Sequence, residues 1–460
     1  MKDLNKRFIY FICTVSAMGG LLFGYDWVVI GGAKIFYEEF FGIGHDPNLQ
    51  GWAMSIALIG CLLGALTAGS MADRYGRKPL LVAAAFIFLV SAYGTGAYSS
   101  FTGFLAARFV GGIAIGIASG LSPMYIAEIS PASIRGRLVS LNQLAIVVGI
   151  LAAQVVNWLL AGDDTDWNVA EGWRWMFWAE AFPAAAFLVM TLFIPESPRW
   201  LVMHGQKEKA AAIFRRVGGE RHAEQELQAL AAMRNEQHEG GLSLLFSRPY
   251  RRVLVLGVIV AVFQQWCGTN VIFNYAQEVF QGAGYNVDNT FINIVVTGIA
   301  NLVFTGVAIY TVDRLGRRTL MLIGAGGLGL IYLLLGTCYY WQVSGIFMVV
   351  LVVLAISCYA MSLGPVTWVL LAEIFPGRVR GVAIAAATFA LWTGSFLLTY
   401  SFPFLNRDLG TYGTFWIYTV ICAAGFAFFW RTLPETKGKP LEELEKQLVK
   451  DNNESSCNNL

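Results

Sequence analysis

Charge is scarce in this sequence. Of its 460 residues only 13% are Asp, Glu, Lys or Arg, against about a quarter in ordinary water-soluble domains. Basic and acidic residues, 32 against 30, nearly cancel to a formal net charge of +2. A basic surface of the kind that holds nucleic acid is therefore missing, and no nucleic-acid partner is expected. Cysteine is thin as well. Six of the seven (Cys13, Cys61, Cys267, Cys338, Cys358, Cys422) stand singly inside apolar stretches, with neither the paired spacing of a metal site nor a disulfide framework. They read as small packing residues, and no metal is expected. No nucleophile–base pair and no phosphate loop stands out, so neither an enzyme nor a cofactor is expected. The basic start Met1 to Arg7, followed by an apolar run, imitates a signal peptide, but no small-residue cleavage site ends it and Asp26 interrupts it. A retained first helix is expected.

Apolar residues, in contrast, make up 56% of the chain. Crossing the hydrocarbon of a bilayer as a helix takes about 20 mostly apolar residues, and such segments are expected at 8-34, 51-71, 79-99, 102-126, 138-160, 173-194, 252-280, 290-311, 319-340, 344-371, 380-403 and 412-431. Between them, basic residues gather in alternate loops: Arg74, Arg77 and Lys78; Arg135 and Arg137; Arg199 to Arg252; Arg314, Arg317 and Arg318; Arg378 and Arg380; Arg431 to Lys439. The intervening loops, such as 161-172 and 281-289, hold few Lys or Arg. Positive loops stay inside, which puts both termini and the 196-251 linker in the cytoplasm of a multi-pass inner-membrane protein. Charged, helix-forming stretches at Lys207 to Val217 and Ala223 to Glu239 make that linker helical. The expected division is 1-195 as an N-terminal six-helix bundle, 196-251 as the linker, 252-433 as a C-terminal six-helix bundle and 434-460 as a cytoplasmic tail.

The two halves repeat. Asp73-Arg-Tyr-Gly-Arg-Lys78 follows the second span and Asp313-Arg-Leu-Gly-Arg-Arg318 the eighth. Glu128-Ile-Ser-Pro131 with Arg135-Gly136 follows the fourth, and Glu373-Ile-Phe-Pro376 with Arg380-Gly381 the tenth. Pro195-Glu-Ser197 and Pro434-Glu-Thr436 close the halves. Three motif pairs in one order mark an internal duplication, and two like halves suit a carrier that rocks about a midplane site. With Pro195-Glu-Ser-Pro-Arg-Trp-Leu201, Pro434-Glu-Thr-Lys-Gly438 and Gly20-Leu-Leu-Phe-Gly-Tyr-Asp26, the sequence resembles the sugar porter family of the major facilitator superfamily from its first span to about Glu445. The resemblance is closest to bacterial proton:D-xylose symporters and extends to facilitative glucose transporters. It implies an all-α membrane fold, twelve transmembrane helices in two pseudo-symmetric six-helix bundles. It also implies a monosaccharide substrate of the D-xylose or D-glucose type, the proton as coupling ion, and a lipid-embedded monomer.

Asp26 lies deep in the first span, where insertion scales charge about 2.5–3.5 kcal/mol for an ionised carboxylate. It needs a partner or a proton. Arg108 in the fourth span is the other charge at that depth, and the resemblance pairs the two positions; symporters of the family carry a carboxylate at the first and facilitators do not. A static ion pair is the alternative. Glu180 in the sixth span is a second proton candidate, with a headgroup-level carboxylate as its alternative, and Glu278 reads as a helix-end residue without special role.

Gln264, Gln265 and Asn270 are three amides in the otherwise apolar seventh span. On a regular helix Gln265 and Asn270 point about 140° apart at about 100° per residue, so they converge only if the helix breaks, and Gly268 stands between them. Each amide offers donors and an acceptor, which suits sugar hydroxyls; a lone amide more often serves as glue between helices. The resemblance makes all three sugar-binding, together with Gln143 and Asn301, and matches Phe23, Gly364, Trp368 and Trp392 to apolar and aromatic sugar contacts. Gly364-Pro365 also weakens the tenth span as a hinge, while Trp173, Trp175 and Trp178 read as interfacial belt residues. Ile150, Asn274, Leu391 and Ser395 depart from the xylose-symporter pattern, which leaves pentose and hexose open. At the cytoplasmic mouth Asp73, Arg77, Glu128, Arg135 and Glu196, with Asp313, Arg317, Glu373, Arg380 and Glu435, form a candidate gate. A facilitative uniporter with the same site, or a sugar receptor that has lost transport, are the competing functions.

Overall fold

The computed structural model describes residues 4–131, 133–161, 165–236, 242–285, 287–376 and 379–437. Arg378 and the tail beyond residue 437 lie outside the described residues, as does the end of the second linker helix at 237–239, and nothing is described of the Asp313 side chain. Among the described residues there is no strand. Eleven helices among the described residues are long and apolar enough to cross a membrane: Lys6–Phe41, Pro47–Tyr75, Arg77–Ala97, Phe101–Ile129, Arg135–Leu160, Asn168–Phe193, Tyr250–Asn274, Asn289–Val312, Arg317–Tyr340, Ile346–Ile374 and Arg380–Thr432. The last has 53 residues, about 80 Å at 1.5 Å per residue, against a hydrocarbon core of about 30 Å. It is two spans joined at Gly410, whose φ of 67° interrupts the helix, so the chain has twelve.

Helix ends overrun the apolar runs. The first helix continues past residue 34 to Phe41 and the second begins at Pro47 rather than 51, because polar residues such as Glu38 and Glu39 propagate a helix once it has been nucleated. The stretch before the sixth span, expected as open loop, is helical from Thr165, with a π-turn at Asn168–Gly172. Ser100 and Ser197 cap the helices that follow them, each accepting the N–H three residues on, as capping serines do. The linker helix Lys207–Glu236 is broken at Gly218 and Gly219, where the two expected linker segments meet.

Two compact units are present, residues 1–30 with 56–238, and residues 31–55 with 239–460. In the first unit the second and fourth helices meet along Gly60-x-x-x-Gly64 and Gly112-x-x-x-Gly116. A side chain at these positions would strike the carbonyls of Phe109, Ile113, Ala57 and Cys61 respectively. Small residues at this spacing let helix backbones touch where lipid supplies no hydrophobic drive. The second unit includes the end of the first helix and the start of the second, residues 31–55. Gln277 Nε2 donates to the Gly32 carbonyl at 2.7 Å, and Tyr400 Oη donates to Asn48 Oδ1 at 2.6 Å.

Candidate functional site

A buried charge cluster occupies the first unit. Asp26 and Arg108 form an ion pair with each side chain only 3% exposed. Arg108 Nη2 also faces the Asp26 carbonyl at 3.4 Å, and its guanidinium stands 5.6 Å from the centre of the Phe177 ring. The fourth helix brings Arg108 close to the first through its small residues: a Cβ on Gly111 would lie 3.1 Å from Asp26 Oδ2. Glu180, one turn beyond Phe177, is 2% exposed, and no hydrogen-bond partner reaches its Oε1 among the described residues. Burial of this kind does not fit a carboxylate at headgroup level. Nearby, Tyr25 Oη donates to the Met176 carbonyl at 3.0 Å, tying the first helix to the sixth.

A chain of amides occupies the second unit. The seventh span ends its first segment at Trp266, passes Gly268 at φ 89°, and resumes at Thr269. That left-handed step suits glycine, and a Cβ there would also meet the Tyr418 and Tyr332 rings at 2.9 and 3.2 Å. The break turns Asn270 toward its neighbours. Asn270 Nδ2 donates to Gln265 Oε1, Gln265 Nε2 donates to Gln264 Oε1 at 2.8 Å, and Gln264 Nε2 donates to Tyr359 Oη at 2.5 Å. Tyr359 was not among the expected site residues, since a tyrosine in an apolar run gives no signal of its own. It lies in the last turn of the first segment of the tenth span, which breaks at Ser362 and resumes at Leu363, just before the Gly364-Pro365 pair. Asn301 and Trp392 are buried, at 5% and 4% exposed, whereas Trp368 is 43% exposed. Gln143 and Phe23, in the first unit, are half-buried. The four departing positions Ile150, Asn274, Leu391 and Ser395 are all buried.

The loop motifs build the same network twice, once in each unit. Arg77 holds Glu128 in a two-pronged pair, both contacts at 3.0 Å, and reaches Asp73 at 3.0 Å. Glu196 accepts the Arg77 and Lys78 backbone N–H groups at the start of the third helix, and Ser197 Oγ donates to Glu128 at 2.5 Å. In the second unit Arg317 pairs with Glu373 at 3.0 Å, Glu435 accepts the Arg317 and Arg318 N–H groups, and Thr436 Oγ1 donates to Glu373 at 2.6 Å. Arg135 and Arg380 differ from expectation in the same way. Each gives its Nε to a main-chain carbonyl five residues earlier, Ser130 at 3.3 Å and Phe375 at 3.1 Å, and so acts on a helix end.

Two other readings need correction. Trp173 is fully buried against Phe104 and Phe177, so it is a core residue rather than an interfacial one. Glu278 does have a partner: Lys34 bridges it to Glu38, with 2.7 Å to the latter, and the Lys34 side chain is 5% exposed. The Lys34–Glu38 spacing of four on one helix was the available signal; Glu278 is remote in sequence.

The family described as sugar (and other) transporter matches residues 12–448. The D-xylose-proton symporter of Escherichia coli (strain K12) is 38% identical, over 96% of this chain and 96% of that protein. The arabinose-proton symporter of Bacillus subtilis (strain 168) is 36% identical, over 97% and 96%. Among solved structures, the inward open conformation of the xylose transporter XylE from E. coli has a TM-score of 0.86 at 37% identity, covering 95% of this chain and 99% of that one.

Proposed function

The chain belongs to the sugar transporter family, and from that premise we propose that it is a proton-coupled monosaccharide symporter working by alternating access. The observation that carries the coupling is the buried Asp26–Arg108 pair. Burying two ions costs several kcal/mol each, and only their mutual attraction and hydrogen bonds offset it. Protonating Asp26 removes one member of that balance and leaves Arg108 without its counter-charge. States that differ in how they solvate this pair then change in relative energy, which is all that a bound proton can do to a conformational equilibrium. Glu180, buried near the same helices, is the reserve proton site. Relatives named for D-xylose–proton and arabinose–proton symport support both the substrate class and the coupling ion.

In the second unit Gln264, Gln265 and Asn270 take sugar hydroxyls, and Trp368 or Trp392 supplies an apolar face for the ring. The protein is a multi-pass inner-membrane transporter; the crowding of basic residues in alternate loops supports placing both termini and the linker in the cytoplasm. Both clusters lie on one chain, so a monomer suffices.

The test is uptake of radiolabelled D-xylose and D-glucose into vesicles under an imposed pH gradient. Wild type concentrates one of them, while Asp26→Asn, which mimics a permanently protonated carboxyl, still exchanges sugar downhill but accumulates none. Accumulation by the mutant would move the coupling site to Glu180. A wild type indifferent to the gradient is a uniporter with a structural Asp26–Arg108 pair.

A further inference from the structure

We propose that Lys34 is a two-position latch: it fastens the end of the first helix to the second segment of the seventh span, and Glu38 is the partner it keeps when that contact parts. The proposal rests on the alternating-access reading given above, since a carrier is what has reason to part the contact.

The first helix is one element from Lys6 to Phe41, yet it is counted with the first unit up to residue 30 and with the second from 31. Residues 31–41 meet residues 269–282 through three kinds of contact. A Cβ on Gly31 would stand 2.8 Å from the Asn274 carbonyl, so the two backbones touch. Gln277, fully buried, donates to the Gly32 carbonyl at 2.7 Å and accepts the Ile35 N–H at 3.3 Å. Lys34 adds charge, pairing with Glu278 and standing 5.6 Å from the centre of the Tyr275 ring.

Two carboxylates share this one ammonium. Glu38 lies 2.7 Å from it, four residues further along the same helix, and its other oxygen accepts from Gln50 Nε2 at 3.3 Å. Glu38 therefore stays beside Lys34 when the seventh-span segment lets go. Glu278 belongs to that segment, and no hydrogen-bond partner reaches its Oε2 among the described residues. Both carboxylates line a cavity of about 690 Å³, where Arg407 is already paired with Asp408.

The large cost of breaking a buried ion pair is the charge left stranded, and the Lys34 side chain is only 5% exposed. With Glu38 in place the ammonium is never stranded. Glu278, 26% exposed beside the cavity, gains water as it leaves, and its repulsion with Glu38 is relieved. Opening is thus cheap although the closed pair is buried, which suits a contact made and broken in every cycle. It follows that Glu278 favours the closed contact and Glu38 the open one, although both are carboxylates on the same ammonium.

Asn274 is 4% exposed and its carbonyl lies against Gly31, so Asn274→Cys reports the parting through its rate of reaction with a water-soluble maleimide. The rate is read at that position by mass spectrometry on the full-length protein in detergent. Glu278→Gln and Lys34→Met speed labelling about fivefold or more, while Glu38→Gln slows it by a similar factor. In the Glu278→Gln background Glu38→Gln has no further effect. The two glutamine substitutions remove the same charge, so a shift in the same direction for both overturns the proposal, as does labelling that none of the three changes. An equal slowing by Glu38→Gln in the Glu278→Gln background also overturns it, because Glu38 would then act through the fold and not through the shared ammonium. Sugar counterflow is measured on the same variants. A wild type without counterflow but with the opposed labelling shifts defeats the carrier reading and upholds the latch; counterflow without those shifts defeats the latch alone.

Discussion

Removing one amide from the row on the seventh span should be costly because each serves two neighbours. Gln264→Ala leaves the Gln265 amine and the Tyr359 hydroxyl without their present partner, and Gln265→Ala does the same to Asn270 and Gln264. Stranding buried polar groups costs roughly 1–3 kcal/mol each. Sugar affinity, measured by calorimetry on purified protein, is expected to fall by that amount in either variant, and unchanged affinity in both would remove these residues from the site. The amides were legible in the sequence because three of them interrupt an apolar run, and their geometry even required the break that Gly268 makes. Tyr359 was not legible. Its role comes from a contact 95 residues away, and no local pattern separates it from a tyrosine that merely packs. Lys34 was hidden differently: it falls where the apolar run ends, the place where a lysine is usually a membrane-edge residue, while its partner Glu278 is distant in the chain.

Helices were legible wherever hydrophobic length decides, and less so where backbone contact does. All twelve spans follow from apolar runs, yet nothing in those runs says that the second and fourth helices touch carbonyl to glycine. Substituting Gly112 by Val places two methyl groups against the Ala57 carbonyl. Overpacking of this kind costs typically about 1–3 kcal/mol, so Gly112→Val should lower the melting temperature in detergent, while Gly120→Val on the same helix, with open space around it, should not. The fourth helix also carries Arg108. Loss of sugar accumulation in Gly112→Val with retained counterflow would show that the helix contact sets the geometry of the ion pair. Gly268→Ala tests a break instead of a contact: it asks a side chain to adopt φ 89° beside two tyrosine rings, at about 1–2 kcal/mol for the backbone alone. It should cost sugar affinity as well as stability, because a straightened seventh span turns Asn270 away from Gln265.

For the molecule as a whole, the duplication read in the motifs is a duplication of hydrogen bonds, down to the serine and threonine that steady Glu128 and Glu373. The copies are not equal in burial. Arg77 and Glu128 are 5% and 6% exposed, Arg317 and Glu373 12% and 22%. Breaking a buried pair costs about 3–5 kcal/mol because a charge is left stranded, whereas exposed pairs are worth about 0–1 kcal/mol. Glu128→Ala is therefore expected to lower the melting temperature clearly more than Glu373→Ala, a difference that differential scanning fluorimetry resolves. Equal shifts would mean that the two networks carry equal load despite their burial.

Each of these networks also closes a loop of chain. Glu196 reaches back 119 residues to the Arg77 N–H, and Glu435 reaches back 118 to that of Arg317. The cost of closing such loops rises only as the logarithm of their length, so a carboxylate at the very end of a half is as serviceable a clasp as one nearer by. Synthesis proceeds from the N-terminus. Both members of the first clasp have left the ribosome before either member of the second has been made, and neither clasp borrows a residue from the other. The order of assembly is thus written into the order of the sequence: one half can fasten its clasp while the other is still messenger RNA.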